Sequence, residues 1–140
     1  MPTPWEEGFE RTWLEGYEQA PEGTRAAFAV VEEASGEFVG FAAVVRIDQE
    51  AREAEAGYIV SPQARGRGIA ARALRLLTEW ALDELALERV ELRITPDNLA
   101  SIRVAERCGY VRECVLRSVH FKQGGRSDLA VYSRLPSDAA

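Results

Sequence analysis

The sequence has 140 residues, of which 46% are hydrophobic, and a formal net charge of −6. This length can bury one core of useful size but not two, so we expect a single domain over residues 1–140. The acidic balance argues against general nucleic-acid binding, which needs a basic surface to neutralise phosphates. Two cysteines cannot form a disulfide framework, and no leader or long apolar run is evident. We therefore expect a cytoplasmic protein that makes no membrane contact.

The N-terminal segment predicts an amphipathic helix. Aromatic residues recur at every fourth position, at Trp5, Phe9, Trp13 and Tyr17, with glutamates between them, and Pro21 ends the pattern. We expect this aromatic ridge to pack on the core. A surface that binds an acceptor substrate is the alternative interpretation.

Three β-rich runs and a long helix follow. The runs Ala26–Val31, Phe38–Ile47 and Ala54–Val60 are separated by polar or glycine-containing turns, which predicts an antiparallel meander. A helix is expected from Gly68 to about Leu85, with Arg72 and its other charged residues on a solvated face. The side chains expected to be buried on its other face are Ile69, Ala73, Leu76, Leu77, Trp80 and Ala81.

The second half of the chain predicts three more strands and a short helix. Apolar and charged residues alternate over residues 90–94, which indicates a strand that can lie parallel to the third run across one crossover. Asp97 or Asn98 can cap a helix that runs to Arg107 and is closed by Gly109. The last strands are expected at Tyr110–Phe121 and Leu129–Leu135. The predicted fold is a mixed sheet with helices on both faces.

The loop before the long helix predicts an anion site. Its two glycines can take left-handed angles and let a ligand approach the backbone. The first N–H groups of a helix lack internal partners and carry the positive end of its dipole, so phosphate oxygens are natural occupants. The groups expected to take part are the backbone amides of Gly66, Gly68, Ile69 and Ala70 and the side chains of Arg65 and Arg67.

Two other nucleotide-binding motifs were compared with this loop. Gly66-x-Gly68-x-x-Ala71 also satisfies a dinucleotide fingerprint, but that fold requires an acid at the end of the next strand, and Glu91 lies in mid-strand. No Gly-Lys-Ser/Thr follows, which excludes a P-loop. A glycine turn that merely begins a helix remains the simplest alternative.

The loop resembles the acetyl-CoA site of the GNAT superfamily of N-acetyltransferases, whose pattern Gln/Arg-x-x-Gly-x-Gly/Ala stands here as Arg65-x-x-Gly68-x-Ala70. A second element of that family, Asn-x-x-Ser before a helix that ends in Gly-Phe/Tyr, is present as Asn98, Ser101 and Gly109-Tyr110, closest to the RimJ/RimL type. The resemblance implies the GNAT acyl-CoA N-acyltransferase fold, an α/β fold whose mixed, mostly antiparallel sheet is flanked by helices. It also implies acetyl-CoA as cosubstrate.

The same resemblance makes the N-terminus unusual. Family members have a first strand and a first helix ahead of the aromatic segment, and only Met1–Pro4 precede it here. We therefore expect the usual first strand and helix to be missing. The strand Ala26–Val31 would then have an open edge, to be covered by the aromatic helix or by a second subunit in a homodimer.

The resemblance further implies roles for individual residues. Glu55 matches the glutamate that accepts the amine proton, with an ordinary solvent-facing strand glutamate as the alternative. Ser101 matches a serine that assists the leaving thiolate, since the tyrosine that many members use is replaced by Ala105. The alternative for Ser101 is a helix-capping or first-turn serine, and the alternative for Asn98 is a simple helix cap. Pantetheine and phosphate contacts are expected from Ile59, Val60, Asn98 and Arg103. Arg72 could also reach a CoA phosphate from the first turns of the long helix, but the solvated face is the favoured interpretation.

These observations predict an N-acetyltransferase that moves the acetyl group of acetyl-CoA directly to an amine. The acceptor is expected to be a protein N-terminal α-amine or a small-molecule amine. A noncatalytic acyl-CoA-binding or regulatory domain is the alternative. The lone His120 has no nucleophile motif around it, and no residues have metal-ligand spacing, so we expect neither a catalytic triad nor a metal.

Overall fold

A mixed sheet of six strands carries two helices in the computed structural model, which describes residues 23–32, 34–61, 66 and 68–138. In chain order the elements are β1 (Ala26–Val31), β2 (Phe38–Asp48), β3 (Glu53–Val60), α1 (Ile69–Asp83), β4 (Arg89–Ile94), α2 (Leu99–Arg107), β5 (Val111–Lys122) and β6 (Gly125–Arg134). The strand order is β1-β2-β3-β4-β6-β5. The β3–β4 pair is parallel and the other pairs are antiparallel. The predicted fold class and meander are thereby confirmed.

The predicted N-terminal helix lies outside the described residues. The same holds for the expected absence of a first strand and helix. Within the described chain β1 is an edge strand, and Phe28 on it packs edge-on against Trp80 of α1, with ring centroids 5.0 Å apart. No helix of the described residues is both long and apolar enough to cross a bilayer.

Both described helices pack on the same face of the sheet. In β4 the side chains of Val90, Leu92 and Ile94 are buried on that face, while the intervening charged residues point to the other. Leu74 of α1 and Ala105 of α2 belong to the same buried cluster. Helices on both faces were predicted, and the described part of the chain has them on one.

The sheet contains a second crossover that the sequence pattern did not reveal. β6 lies between β4 and β5 and runs antiparallel to both. The connection from β4 through α2 to β5 therefore passes over the position of β6, a strand that comes later in the chain. The strand β6 begins at Gly125, four residues earlier than predicted. Its polar first residues are held by hairpin pairing, Lys122 to Gly125 and Phe121 to Arg126, which overrides their weak strand preference.

The buried side of α1 agrees only in part with the predicted one, since Ile69, Leu77 and Ala81 are buried as expected. Leu74 and Thr78 are buried, whereas Leu76 is 68% exposed and Trp80 is half-buried. The helix has two neighbouring apolar stripes, and a period of 3.6 residues cannot say which of them meets the sheet. The stripe of Ala73, Leu76 and Trp80 instead borders an open groove of about 310 Å³ beside β1.

A buried hydrogen bond joins α1 to the end of α2. The hydroxyls of Thr78 and Tyr110 lie 2.7 Å apart, and both residues are less than 5% exposed. Burial raises the pKa of Tyr110 far above its usual range, against the opposing effect of the Thr78 hydrogen bond. The phenol is therefore neutral and serves as a structural partner.

We expect Tyr110→Phe to lower the free energy of unfolding by about 1–2 kcal/mol, because Thr78 would keep a buried hydroxyl without its partner. The double variant Thr78→Val/Tyr110→Phe should lose less than the sum of the two single losses. Urea denaturation of the three variants measures this. Strictly additive losses would mean that the two hydroxyls do not stabilise the fold as a pair.

Candidate active site

The backbone before α1 has the conformation expected of an anion cradle. Gly66 and Gly68 have left-handed φ angles of 83° and 72°, and Gly68 is the N-cap of α1. Among the described residues no side chain caps this helix, and its first turn contains no acidic residue. The backbone amides of Ile69 and Ala70 therefore begin the helix without intrahelical partners. Positive helix-dipole charge is concentrated at this point.

The cationic side chains near the cradle differ from those predicted. Arg65 and Arg67 lie outside the described residues. Arg72, for which a solvated face was favoured over contact with a CoA phosphate, has its guanidinium beside the cradle, since a Cβ atom placed on Gly68 would lie 3.5 Å from its Nη1. The signal for Arg72 in the sequence is its position one helical turn after the N-cap.

The parallel strands β3 and β4 separate next to this cradle. Their pairing runs only from Glu53 opposite Arg89 to Glu55 opposite Glu91. Beyond Glu55, β3 continues to Val60 paired with β2 alone. The backbone edge of β3 that faces β4 therefore makes no ladder hydrogen bonds with β4 in this part of the strand. The predicted pantetheine contacts Ile59 and Val60 lie on this separated part of β3.

A close backbone approach holds the separated part of β3 against β2. A Cβ atom placed on Gly40 of β2 would lie only 2.1 Å from the carbonyl oxygen of Ile59. Only glycine fits that distance. The register between β1 and β2 shifts beside Gly40, between Val30 and Val31.

Glu55 lies on the sheet face opposite the helices, at the last position at which β3 pairs with β4. Its side chain is 25% exposed and makes a 3.4 Å ion pair with Arg46, whose own side chain is 73% exposed. It borders a cavity of about 130 Å³. The charged residues that line this cavity are Arg46, Glu53, Glu55, Arg89, Glu91 and Arg93.

Glu55 is less constrained than its neighbour Glu91 in the same cavity. Glu91 accepts hydrogen bonds from Arg93 Nε at 2.8 Å and from Arg89 Nη2 at 3.1 Å, so both of its oxygens are engaged. Arg89 also bonds Glu113, whose pKa is lowered by the Ser133 side chain and by Arg89. Glu55 has only the longer, 3.4 Å contact with the exposed Arg46 among the ion pairs of the described residues. Because exposed ion pairs are weak, Glu55 is the less tightly held of the two carboxylates.

The start of α2 lies on the helix side of the sheet. Asn98 is its N-cap, and its side chain accepts a hydrogen bond from the Ser101 backbone N–H at 3.2 Å. Ser101 is half-buried and Arg103 is exposed. Asn98 thus performs the capping role that was its alternative interpretation.

Tyr58 is a feature of this region that the sequence reading did not single out. It lies on β3 and packs against the core below the helices. Burial raises the pKa of Tyr58, while an interaction with the Ser101 side chain acts to lower it. The hydroxyl is buried, yet no described group completes a hydrogen bond of normal geometry with it. Because its neighbour Ser101 comes from a distant part of the chain, no local pattern could have revealed the pair.

Two other classes of catalytic group find no support in the described residues. Cys108 is buried, its thiol donates to the Ala71 carbonyl at 3.3 Å, and burial raises its pKa, so it is a packed core residue. The described part of the chain contains no group of three or more His, Cys, Asp or Glu side chains placed to hold a metal ion.

A family model and several known proteins match this chain. Residues 1–111 match the model of the acetyltransferase (GNAT) domain. An uncharacterized N-acetyltransferase of Bacillus licheniformis is 29% identical over 119 residues, which are 85% of this chain and 67% of that protein. The Bacillus subtilis (strain 168) protein named "Putative ribosomal N-acetyltransferase YdaF" is 35% identical over 100 residues, 71% of this chain and 55% of that one. The chain thus spans little more than half of the second relative.

A solved structure supports the fold independently. A variant of the spermidine N-acetyltransferase SpeG from Vibrio cholerae superposes with a TM-score of 0.79 at 22% identity, over 92% of this chain and 76% of that chain. At this identity the likeness concerns the fold alone.

Proposed function

The chain belongs to the GNAT acetyltransferase family, and from this premise we propose that it transfers the acetyl group of acetyl-CoA directly to an amine. The observation that carries the proposal is the separation of β3 from β4 between the helix N-terminus at Gly68 and the carboxylate of Glu55. An extended thioester can enter such a gap, with phosphates at one end and the reacting carbonyl near the other.

The cradle would bind the pyrophosphate of CoA. Two positively charged features support this, namely the open amides at the start of α1 and the Arg72 guanidinium beside Gly68. Arg65 and Arg67 are proposed to add charge, and Arg103 to contact a phosphate. The backbone at Ile59 and Val60, with Asn98, would hold the pantetheine arm. Backbone N–H groups of β3 could also polarise the thioester oxygen.

Glu55 is proposed as the general base. The amine nitrogen attacks the thioester carbonyl only when neutral, and an α-amine with a pKa of about 8 is roughly one-tenth neutral at pH 7. Glu55 would take the proton that the amine loses, directly or through a water molecule. Its single long ion pair with Arg46 leaves it available for this task.

Ser101 is proposed to stabilise the leaving group. When the C–S bond breaks, the electron pair stays on sulfur, and a hydroxyl that donates to it lowers the energy of the thiolate. Glu55 and α2 lie on opposite faces of the sheet. The amine would therefore approach the carbonyl carbon from one side of the β3–β4 gap, and the CoA thiolate would leave on the other side.

The favoured acceptor is an N-terminal α-amine of a peptide or protein. Three arginines and three glutamates line the cavity at Glu55, so the described residues provide no excess negative charge for a polyamine. One relative is named as a ribosomal N-acetyltransferase, in line with this choice. A small polyamine is the second candidate, because several related proteins are named spermidine N(1)-acetyltransferases.

The test is a thiol-release assay with acetyl-CoA. The acceptors are a panel of peptides with different N-termini, the same peptides with a blocked N-terminus, spermidine, and free amino acids. We expect turnover with free peptide N-termini and none with blocked ones. Turnover with spermidine alone would support the second candidate. Acetyl-CoA binding without turnover on any amine would instead support a noncatalytic acyl-CoA-binding domain.

The remaining expectations are proposals of the same kind. A cytoplasmic location and a possible homodimer, in which a second subunit covers the β1 edge, both follow from the sequence interpretation. Neither nucleic acid nor a metal takes part in the proposed reaction.

A further inference from the structure

The hydroxyl of Tyr58 is a buried polar group that the proposed mechanism leaves unused. In folded proteins nearly all such groups have hydrogen-bond partners, and an exception calls for an explanation. Tyr58 lies three residues beyond the last position at which β3 pairs with β4, so it is on the separated part of the strand. Its hydroxyl is close to Ser101 without completing a hydrogen bond of normal geometry.

We propose that Tyr58 is a positioning residue for acetyl transfer, whose hydroxyl completes a hydrogen bond to Ser101 Oγ when acetyl-CoA occupies the β3–β4 gap and thereby directs the Ser101 proton toward the CoA sulfur. This inference rests on the proposed function of the site. In the first turn of α2 only Ser101 carries a hydroxyl. Its rotation is unconstrained without a second donor, because a serine hydroxyl turns freely about its Cβ–Oγ bond.

The chemistry of Tyr58 suits a donor that keeps its proton. Burial raises the pKa of the phenol, and this dominates the opposing effect of Ser101, so the group is neutral at physiological pH. During transfer the C–S bond breaks with its electron pair on sulfur, and the amine proton goes to Glu55. Both hydroxyls retain their protons, and the chain from Tyr58 through Ser101 stabilises the thiolate. Hydrogen bonds in such chains strengthen one another.

The experiment is a double-variant cycle of Tyr58→Phe and Ser101→Ala, read as kcat and as KM for acetyl-CoA. We expect Tyr58→Phe to lower kcat about tenfold with KM changed less than about twofold, as for an interaction made only in the transition state. The double variant should be no slower than Ser101→Ala, since Tyr58 acts through Ser101. Losses that multiply, or an unchanged kcat in Tyr58→Phe, would overturn the proposal.

Two controls separate this role from a structural one and from failure of the proposed function. Tyr110→Phe removes another buried tyrosine hydroxyl, one with a structural partner in Thr78, and should lower stability while leaving kcat unchanged. Tyr58→Phe should keep the parent melting temperature, because no complete hydrogen bond is lost. The parent protein is assayed alongside: no turnover there refutes the proposed function, whereas parent turnover with an unaffected Tyr58→Phe refutes only this inference.

Discussion

Glu55→Gln is expected to lower kcat/KM for an amine acceptor about 100-fold at neutral pH, the lower end of what a general base contributes. Glutamine keeps the size of the side chain but cannot accept a proton. The loss should be largest at low pH, where few amine molecules are neutral, and should shrink as rising pH deprotonates the amine without help. Steady-state rates across a pH series, with acetyl-CoA saturating, measure this.

Glu53→Gln is the matched control for Glu55. The two glutamates are two residues apart on β3, share a sheet face and line the same cavity. Replacing Glu53 makes the same change in charge near the acceptor without removing the proposed base. We expect its rate and pH profile to stay near those of the parent. If both variants lost activity equally, the cavity would act through its overall charge, and Glu55 would have no specific role.

Gly68→Val is expected to abolish the rise in melting temperature that acetyl-CoA gives the parent. A ligand that binds only the folded state stabilises it by RT ln(1 + [L]/Kd), about 2.7 kcal/mol at 100 times Kd. Gly68 has a φ of 72° at the start of α1. A β-branched side chain is strained at that angle and would occupy the space in which the phosphate approaches the backbone. Thermal melts with and without acetyl-CoA measure the loss.

Gly124→Val separates backbone strain from loss of the binding site. Gly124 has a similar φ of 75° in the turn between β5 and β6, with open space around it. Both variants should therefore lose similar stability in the absence of ligand, and only Gly124→Val should keep the acetyl-CoA shift. NAD(H) is the second ligand to test. A shift with NAD(H) and none with acetyl-CoA would mean that the glycine loop is a dinucleotide site.

Local patterns in the sequence were enough for the order of the described elements and for the left-handed glycines that precede α1. Alternating side chains define β4, Asn98 caps α2, and glycines with left-handed angles precede α1. These features depend on backbone preferences and on hydrogen bonds between residues close in the chain. A linear sequence displays such interactions directly.

The relations between distant segments were decided only by the tertiary structure. The sequence could not tell that Leu76 points away from the sheet or that both helices share one face. The family resemblance singled out Glu55, but the sequence could not show that Glu91 is held more tightly, since that difference lies in which arginines reach each carboxylate. The buried hydroxyl of Tyr58 on β3 lies close to the side chain of Ser101 on α2, and these two residues are far apart in the sequence. Such contacts depend on how the strands and helices pack, and packing is settled by the whole core at once.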